Sequence, residues 1–275
     1  MQPKVSIVIP VFNGMPYIQA AVQSSLNQDY ENIEVIVVDN ASQDGTRQWL
    51  QTLKDSKITV IYRDELQSAS ANWTQATDLA TGTYTKLLCA DDLLDPDIVQ
   101  TQVGLLEANP AAVMAASKRR IIDSQGKVVR KAHGLAGLQQ LESGSETLKK
   151  CFQSGTNLLG EPASVLFRTE SIKQVMPWHS QWPYVTDIAT YAFVLRQGGL
   201  VIDPQVRASF RIAPTSWSAS LVGEQEEQFS KWQASEIATK FVSLNAIEKF
   251  QSFVYLKAKT FARKLFFARE GRKSR

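Results

Sequence analysis

The chain has 275 residues, 44% hydrophobic and 21% charged, an ordinary globular composition that argues against disorder, collagen and coiled coil. Formal net charge is +3, but residues 257–275 hold eight basic side chains against Glu270, so this tail carries +7 and the rest −4. A body built to hold nucleic acid is therefore disfavoured, and no apolar run approaches the ~20 residues that span a bilayer.

The N-terminal run from Val5 to Val11 reads as a first strand and not as a secretory signal, which would carry a longer apolar stretch and a small-residue cleavage site. Two cysteines, Cys89 and Cys151, cannot make a disulfide framework and point to a reducing, cytoplasmic setting. With two histidines, His133 and His179, they are also too few for a structural zinc site. Further runs rich in β-branched or apolar residues, at Glu34–Asp39, Ile58–Arg63 and Tyr84–Cys89, predict strands covered on both faces. Between them lie helical patterns. One follows Pro16 with Ile18, Ala21, Val22, Ser25 and Leu26 on one face; one follows Thr46; one carries Trp73, Ala76 and Ala80 and stops at Gly82. A fourth opens at Asp95-Pro96, read as a cap and a first-turn proline, and ends before Asn109-Pro110. This alternation predicts a doubly wound, mainly parallel α/β sheet.

After residues 111–117 the pattern loosens. A hairpin is expected around Ser124-Gln125-Gly126, a helix over Ser143–Phe152, a strand over Ser164–Phe167, and a helix over Asp187–Gln197 stopped by Gly198-Gly199. Short strands at Leu200–Ile202 and Val206–Arg211 precede two amphipathic helices, roughly 224–244 and 246–268. The expected organisation is an α/β domain over 1–222, with halves 1–117 and 118–222, and a basic helical extension over 223–275.

Parallel strands place the loops that follow them on one edge, where ligands of doubly wound sheets bind. Here those loops bring Asp39, Asp91 and Asp92 to that edge. Uncompensated carboxylates raise one another's pKa, and a divalent cation that brings phosphate oxygens relieves them. An Asp-Asp pair ahead of a proline-started helix also serves as a plain cap. The first loop, PVFNGMPY, has one glycine, which removes the dinucleotide fingerprint, and no GxxxxGK[ST] sequence is present.

Together, VSIVIPVFNGMPYI, EVIVVDNASQDGT and SASANWTQATDLATGTYTKLLCADDLLDP resemble the nucleotide-sugar-binding half of family-two glycosyltransferases with the GT-A fold, of the bacterial cell-surface polysaccharide type. The resemblance is strong over about residues 3–120 and weaker to about 215. It implies that Pro10, Val11, Phe12 and Asn13 line the nucleoside pocket, that Asp39 meets the base (typically uracil), and that Asn72 lies near ribose and diphosphate. It also implies that Asp91 sits by ribose or sugar and that Asp92 holds a metal, Mn²⁺ or Mg²⁺. Lys86, just upstream, is a candidate for a phosphate contact. A carboxylate at the start of a later helix acts as general base in the family, and Asp187 matches that position; an N-cap role fits the same residue. Three positions depart from the family pattern, Cys89, Thr186 and Ala213, where family members often carry acid, acid and histidine.

The implied reaction is inverting transfer of one sugar from a nucleoside-diphosphate donor, UDP-linked by expectation, to a hydroxyl of a glycan or glycolipid. A nucleotidyltransferase would need a Gly-rich basic first loop; a non-catalytic nucleotide-sugar binder is the other alternative. Trp178, Trp182, Tyr184 and Trp217 are candidates for stacking on an acceptor sugar or for the core. Residues 246–275 mix aromatic and basic side chains, a pattern that lies on an anionic membrane surface or packs on the domain. The first option would make the chain peripheral on the inner face.

Overall fold

The computed structural model describes residues 2–213, 220, 221 and 223–273, the last nine of them as backbone only. In chain order the elements of the first half are β1 (Val5–Val11), α1 (Ile18–Leu26), β2 (Ile33–Asn40), α2 (Thr46–Leu50), β3 (Ile58–Arg63), α3 (Ala69–Asp78), β4 (Tyr84–Leu87), β5 (Leu93–Leu94) and α4 (Ile98–Ala108). There follow β6 (Ala112–Ile122), β7 (Val128–His133), β8 (Leu141–Glu142), α5 (Gly144–Ser154), β9 (Val165–Arg168), α6 (Thr169–Lys173), α7 (Thr186–Leu195) and β10 (Gly199–Arg211). The chain then enters α8 (Gln225–Ala238) and α9 (Ala246–Lys273).

Among the described residues one sheet runs β3-β2-β1-β4-β9-β6-β10-β5, with β7 beside β6 and β8 beside β10. The first four strands are all parallel, as expected, but β3, expected to be covered on both faces, is the edge strand and only partly buried; β6 and β10 form the second parallel ladder. The short partners β5, β7, β8 and β9 are antiparallel. From β1 the chain winds outward to β2 and β3, then returns to β4 on β1's other side. A topological switch point therefore lies between β1 and β4, where an open α/β sheet leaves a crevice.

Strand alternation divides the interior in two. Ile7 and Ile9 of β1 face one cluster with α1 and α4, while Val8 faces a second cluster with α3, α5 and α7. Phe229 and Trp232 of α8 and Leu256 of α9 join that second cluster, so both C-terminal helices pack on the sheet's own core. The two strands expected near residues 200 and 206 are one strand, β10, bent where its pairing with β6 shifts between Asp203 and Val206. Pro204 sits in that shift, where a missing N–H is tolerated.

Two expected caps have other roles. Helix α4 begins at Ile98, and Asp95 instead receives both guanidinium nitrogens of Arg120 at 2.7 and 2.6 Å. Helix α3 already ends at Asp78. Gly82 is small because a Cβ there would lie 2.6 Å from the Lys4 carbonyl, where the chain passes β1. Gly144, the first residue of α5, is tighter still: a Cβ would lie 1.9 Å from the Leu195 carbonyl oxygen. Gly144→Ala should force α5 off α7 and destabilise the protein by about 1–3 kcal/mol, read as a lowered Tm; an unchanged Tm would contradict this packing.

Candidate active site

The loops after β1 and β2 are stitched together by main-chain donors. Asn13, in the left-handed region at φ 50°, donates its N–H to Ser42 Oγ at 2.8 Å, and its Oδ1 accepts the Gln43 N–H at 2.8 Å. Gly14 donates to Thr46 Oγ1 and Met15 to Asp44 Oδ2, both at 2.9 Å. Burial pushes the Asp44 carboxyl up, but hydrogen bonds from Thr46 and Met15 outweigh it and hold the pKa below its ordinary value. Asp39, at the end of β2, is fully buried; Arg47 Nε reaches its Oδ2 at 2.9 Å and the Ser42 N–H its Oδ1 at 3.3 Å. A Cβ on Gly14 would stand 3.6 Å from Ala90 Cβ, so the β1 loop lies directly against the β4 loop that bears the acidic pair.

Of that pair, Asp91 lines the principal cleft and Asp92 lies beneath it. Asp92 Oδ1 accepts the Arg211 N–H at 2.9 Å, while Oδ2 is buried without a hydrogen-bond partner among the described residues. Burial, then the neighbouring Asp91 charge, pushes the Asp92 carboxyl well above its usual range. Arg211 holds the loop from three sides: Nε donates to the Asp91 carbonyl at 2.8 Å, Nη1 donates to the Asp123 carbonyl at 3.0 Å, and the guanidinium lies 4.5 Å from the Tyr17 ring centre. Asp92, expected to hold the metal, is thus fully buried with one carboxylate oxygen free of a hydrogen bond among the described residues, and Asp91 is the member of the pair that lines the cleft.

The cleft, of about 600 Å³, is also lined by Cys89, Asn157, Glu161, Thr186 and Asp187. Helix α7 begins at Thr186 with Val185 as its cap, so Asp187 sits in the first turn and caps nothing. Its Oδ1 accepts the Ile188 N–H at 2.6 Å and its Oδ2 accepts Asn157 Nδ2 at 2.9 Å. Burial is the main cause that raises its pKa to about 7, and the Glu161 charge adds to it against these hydrogen bonds. Glu161 is ion-paired with Arg119, whose guanidinium is buried against Gly134 and Gly160. A Cβ at either glycine would come within 2.7 Å of Arg119 Nη1, and both have positive φ.

Other sequence candidates fall elsewhere. Pro10 and Val11 are buried in β1, whereas Phe12 is half exposed and Asn13 exposed at the edge. Asn72 is buried on α3, with Nδ2 3.4 Å from the Val38 carbonyl and Oδ1 unpartnered among the described residues. Lys86 is neither a phosphate contact nor a solvated strand-end lysine: it is fully buried, and its ammonium donates to the Ala163 and Val165 carbonyls at 3.1 and 2.7 Å. Alternation along β4 turns it inward, where burial drives its pKa well down. Trp178 is a core residue that donates to Thr77 Oγ1 at 2.8 Å, and Trp182 stacks on His179 at 5.0 Å. Tyr184 lines the cleft, Ala213 is buried, and Trp217 lies outside the described residues. Reasoning from sequence missed Arg119, Asn157 and Glu161; the signal available was the glycines at 134 and 160 that make room for Arg119.

No group of three or more His, Cys, Asp or Glu side chains is arranged for a metal among the described residues. A Mg²⁺ or Mn²⁺ that arrives with a diphosphate needs only one or two carboxylates, and Asp91 in the cleft fits that requirement.

A ten-strand α/β sheet with this crevice and these loops is the GT-A type, and solved structures agree. Staphylococcus aureus TarS 1-349, solved in complex with UDP-GlcNAc, superimposes with a TM-score of 0.69 at 15% identity, covering 94% of this chain and 73% of that one. The mannosyltransferase PcManGT of Pyrobaculum calidifontis, solved with GDP-Man and Mn²⁺, gives 0.58 at 18% identity, covering 94% and 70%. The Glycosyl transferase family 2 model matches residues 6–175, and the chain belongs to that family. It is 34% identical over 103 residues to the UDP-Glc:alpha-D-GlcNAc-diphosphoundecaprenol beta-1,3-glucosyltransferase WfaP of Escherichia coli. That match spans 38% of this chain and 41% of WfaP.

Neutralising Glu161 removes a negative charge beside Asp187 and frees Arg119, and both changes favour the carboxylate. In a carboxyl NMR titration, Asp187 should titrate near pH 7 in the native protein and distinctly lower in Glu161→Gln. An unmoved midpoint would refute the coupling.

Proposed function

We propose that the protein is an inverting glycosyltransferase that moves one sugar from a nucleoside-diphosphate donor, UDP-linked, to a hydroxyl of a glycan or lipid-linked glycan. One observation carries the reading: Asp91 and Asp187, far apart in sequence, line one cleft, and Asp187 is poised to titrate near neutrality. The UDP-GlcNAc bound to TarS and the lipid-linked acceptor in the WfaP name support the choice of donor and acceptor.

The donor's base end is assigned to Asp39 and to the Phe12–Asn13 turn, and its diphosphate to Asp91. A divalent cation, Mn²⁺ or Mg²⁺, would be held by Asp91 with the donor's own phosphate oxygens and would supply Lewis-acid stabilisation of the leaving diphosphate. Asp187 takes the proton from the acceptor hydroxyl as its oxygen bonds to the anomeric carbon. The carbon–oxygen bond to the diphosphate breaks in the same displacement, and the nucleoside diphosphate departs on the opposite side. A carboxylate with an ordinary pKa would be a feeble base for an alcohol; burial and Glu161 raise its basicity while leaving about half ionised at pH 7. Asn157 fixes the orientation of that carboxylate.

Asp187→Asn should lower turnover by about 10²–10⁴-fold with donor affinity nearly intact, whereas Asp91→Asn should abolish Mn²⁺-dependent donor binding in calorimetry. Wild-type turnover in Asp187→Asn would overturn the base assignment. Turnover should also fall below about pH 7 as Asp187 gains its proton, in proportion to the protonated fraction.

No helix among the described residues is long and apolar enough to cross a membrane. Helix α9 buries Ser252, Leu256 and Thr260 while Ile247, Phe250, Val254 and Phe261 form an exposed apolar stripe beside Lys257 and Lys264. This face is assigned to peripheral contact with an anionic, cytoplasmic-side membrane. Changing Phe250 and Phe261 together to Ser should reduce cosedimentation with phosphatidylglycerol vesicles; unchanged cosedimentation would reject the contact.

A further inference from the structure

Arg130 of β7 and Lys259 and Arg263 of α9 line the same cleft as Asp91 and Asp187. Lys259 and Arg263 are one helical turn apart and so present their charges together. Among the described residues none of the three has a carboxylate within ion-pair distance, in contrast to Arg119, which Glu161 neutralises, and Lys257, which Glu226 neutralises. Arg263 Nη1 donates to the Tyr184 hydroxyl at 2.5 Å, but its Nε is buried without a partner. His133, which also lines the cleft, is held down to about pKa 3 by burial and then by Arg119, Arg130, Lys259 and Arg263, so all four cations act on one point. Lys259 is itself lowered, by burial first and by Arg263 next. Like charges gathered in a partly desolvated cleft carry a cost that a bound anion removes.

On the reading of donor and acceptor given above, we propose that Arg130, Lys259 and Arg263 form a second anion site, which binds the diphosphate of a lipid-linked acceptor. The donor does not account for these cations. Its loops follow β1, β2 and β4, whereas the cations come from β7 and α9, which take no part in those loops. Apolar side chains stand among them: Ile121, Val129, Phe229 and Ala262 line the cleft beside the charges. An anion joined to a hydrocarbon chain suits such a mixed lining better than a sugar phosphate free in water. The same helix carries the exposed Ile247–Phe261 stripe on its outer face, so the site for the headgroup and the apolar surface belong to one rigid element.

Geranyl diphosphate, geraniol and inorganic pyrophosphate, titrated calorimetrically into the full chain, test the site without turnover. Geranyl diphosphate should bind, and bind about tenfold more weakly to Lys259→Gln and to Arg130→Gln, the latter an exposed strand position that leaves the core untouched. Geraniol should not bind, and pyrophosphate should bind more weakly than its prenyl ester. Equal affinity of geranyl diphosphate for the native protein and both variants would overturn the site. Competition by UDP in the native protein would do the same, because the cations would then serve the donor. Pyrophosphate binding as tight as the ester would overturn the lipid-linked assignment. UDP titrated alone with Mn²⁺ tests the donor reading separately; its failure would remove that reading, while the geranyl diphosphate titration still decides the anion site.

Discussion

Acidic groups withdrawn from water beside one cleft, most of them without a direct ion-pair partner, are what this fold is arranged around. Asp91, Asp92, Asp187 and Glu161 converge near one crevice, and among the described residues Glu161 alone of the four has a full guanidinium partner. Asp92 and Asp187 rest on neutral donors: the Arg211 N–H for Asp92, and the Ile188 N–H with the Asn157 side-chain amide for Asp187. Such an arrangement is expensive in isolation; on the function proposed above, it leaves one carboxyl basic enough to take a proton and another to share a cation with a diphosphate.

Much of the first half was legible in the sequence. β1, β2 and β4 are almost wholly buried, and their runs rich in β-branched and apolar residues, alternating with helical patterns, predicted a mainly parallel sheet and an edge bearing Asp39, Asp91 and Asp92. Motif position did not say which of two adjacent aspartates faces the cleft. That depends on where β10 passes, because Arg211 takes Asp92 for its own N–H and leaves Asp91 outward. Lys86 was misjudged for a related reason: a lysine at a strand end reads as solvated, and nothing local announces that two carbonyls from residues 163 and 165 will receive it. Arg119 and Glu161 were invisible as a pair because 42 residues separate them, and the glycines that make room for the guanidinium look like ordinary loop residues.

The family-wide pattern ends before the site does. The matched segment closes at residue 175, whereas Asp187, proposed as the base, the clamp at Arg211 and the cations of α9 all lie beyond it. Helix α9 belongs to that later part in space as well as in sequence, since Leu256 enters the core and Lys259 and Arg263 enter the cleft.

The Asp92–Arg211 contact joins residues 119 positions apart. During synthesis at ~5–20 residues per second, the acidic loop therefore waits about 6–24 s on the ribosome before its main-chain donor exists. Over that interval Asp91 and Asp92 have no clamp and must stay hydrated, and the cleft is completed later still, when α8 and α9 supply Phe229, Lys259 and Arg263. A nascent chain arrested short of β10 would hold the loops after β1, β2 and β4 yet lack the main-chain donor that Asp92 takes in the folded protein.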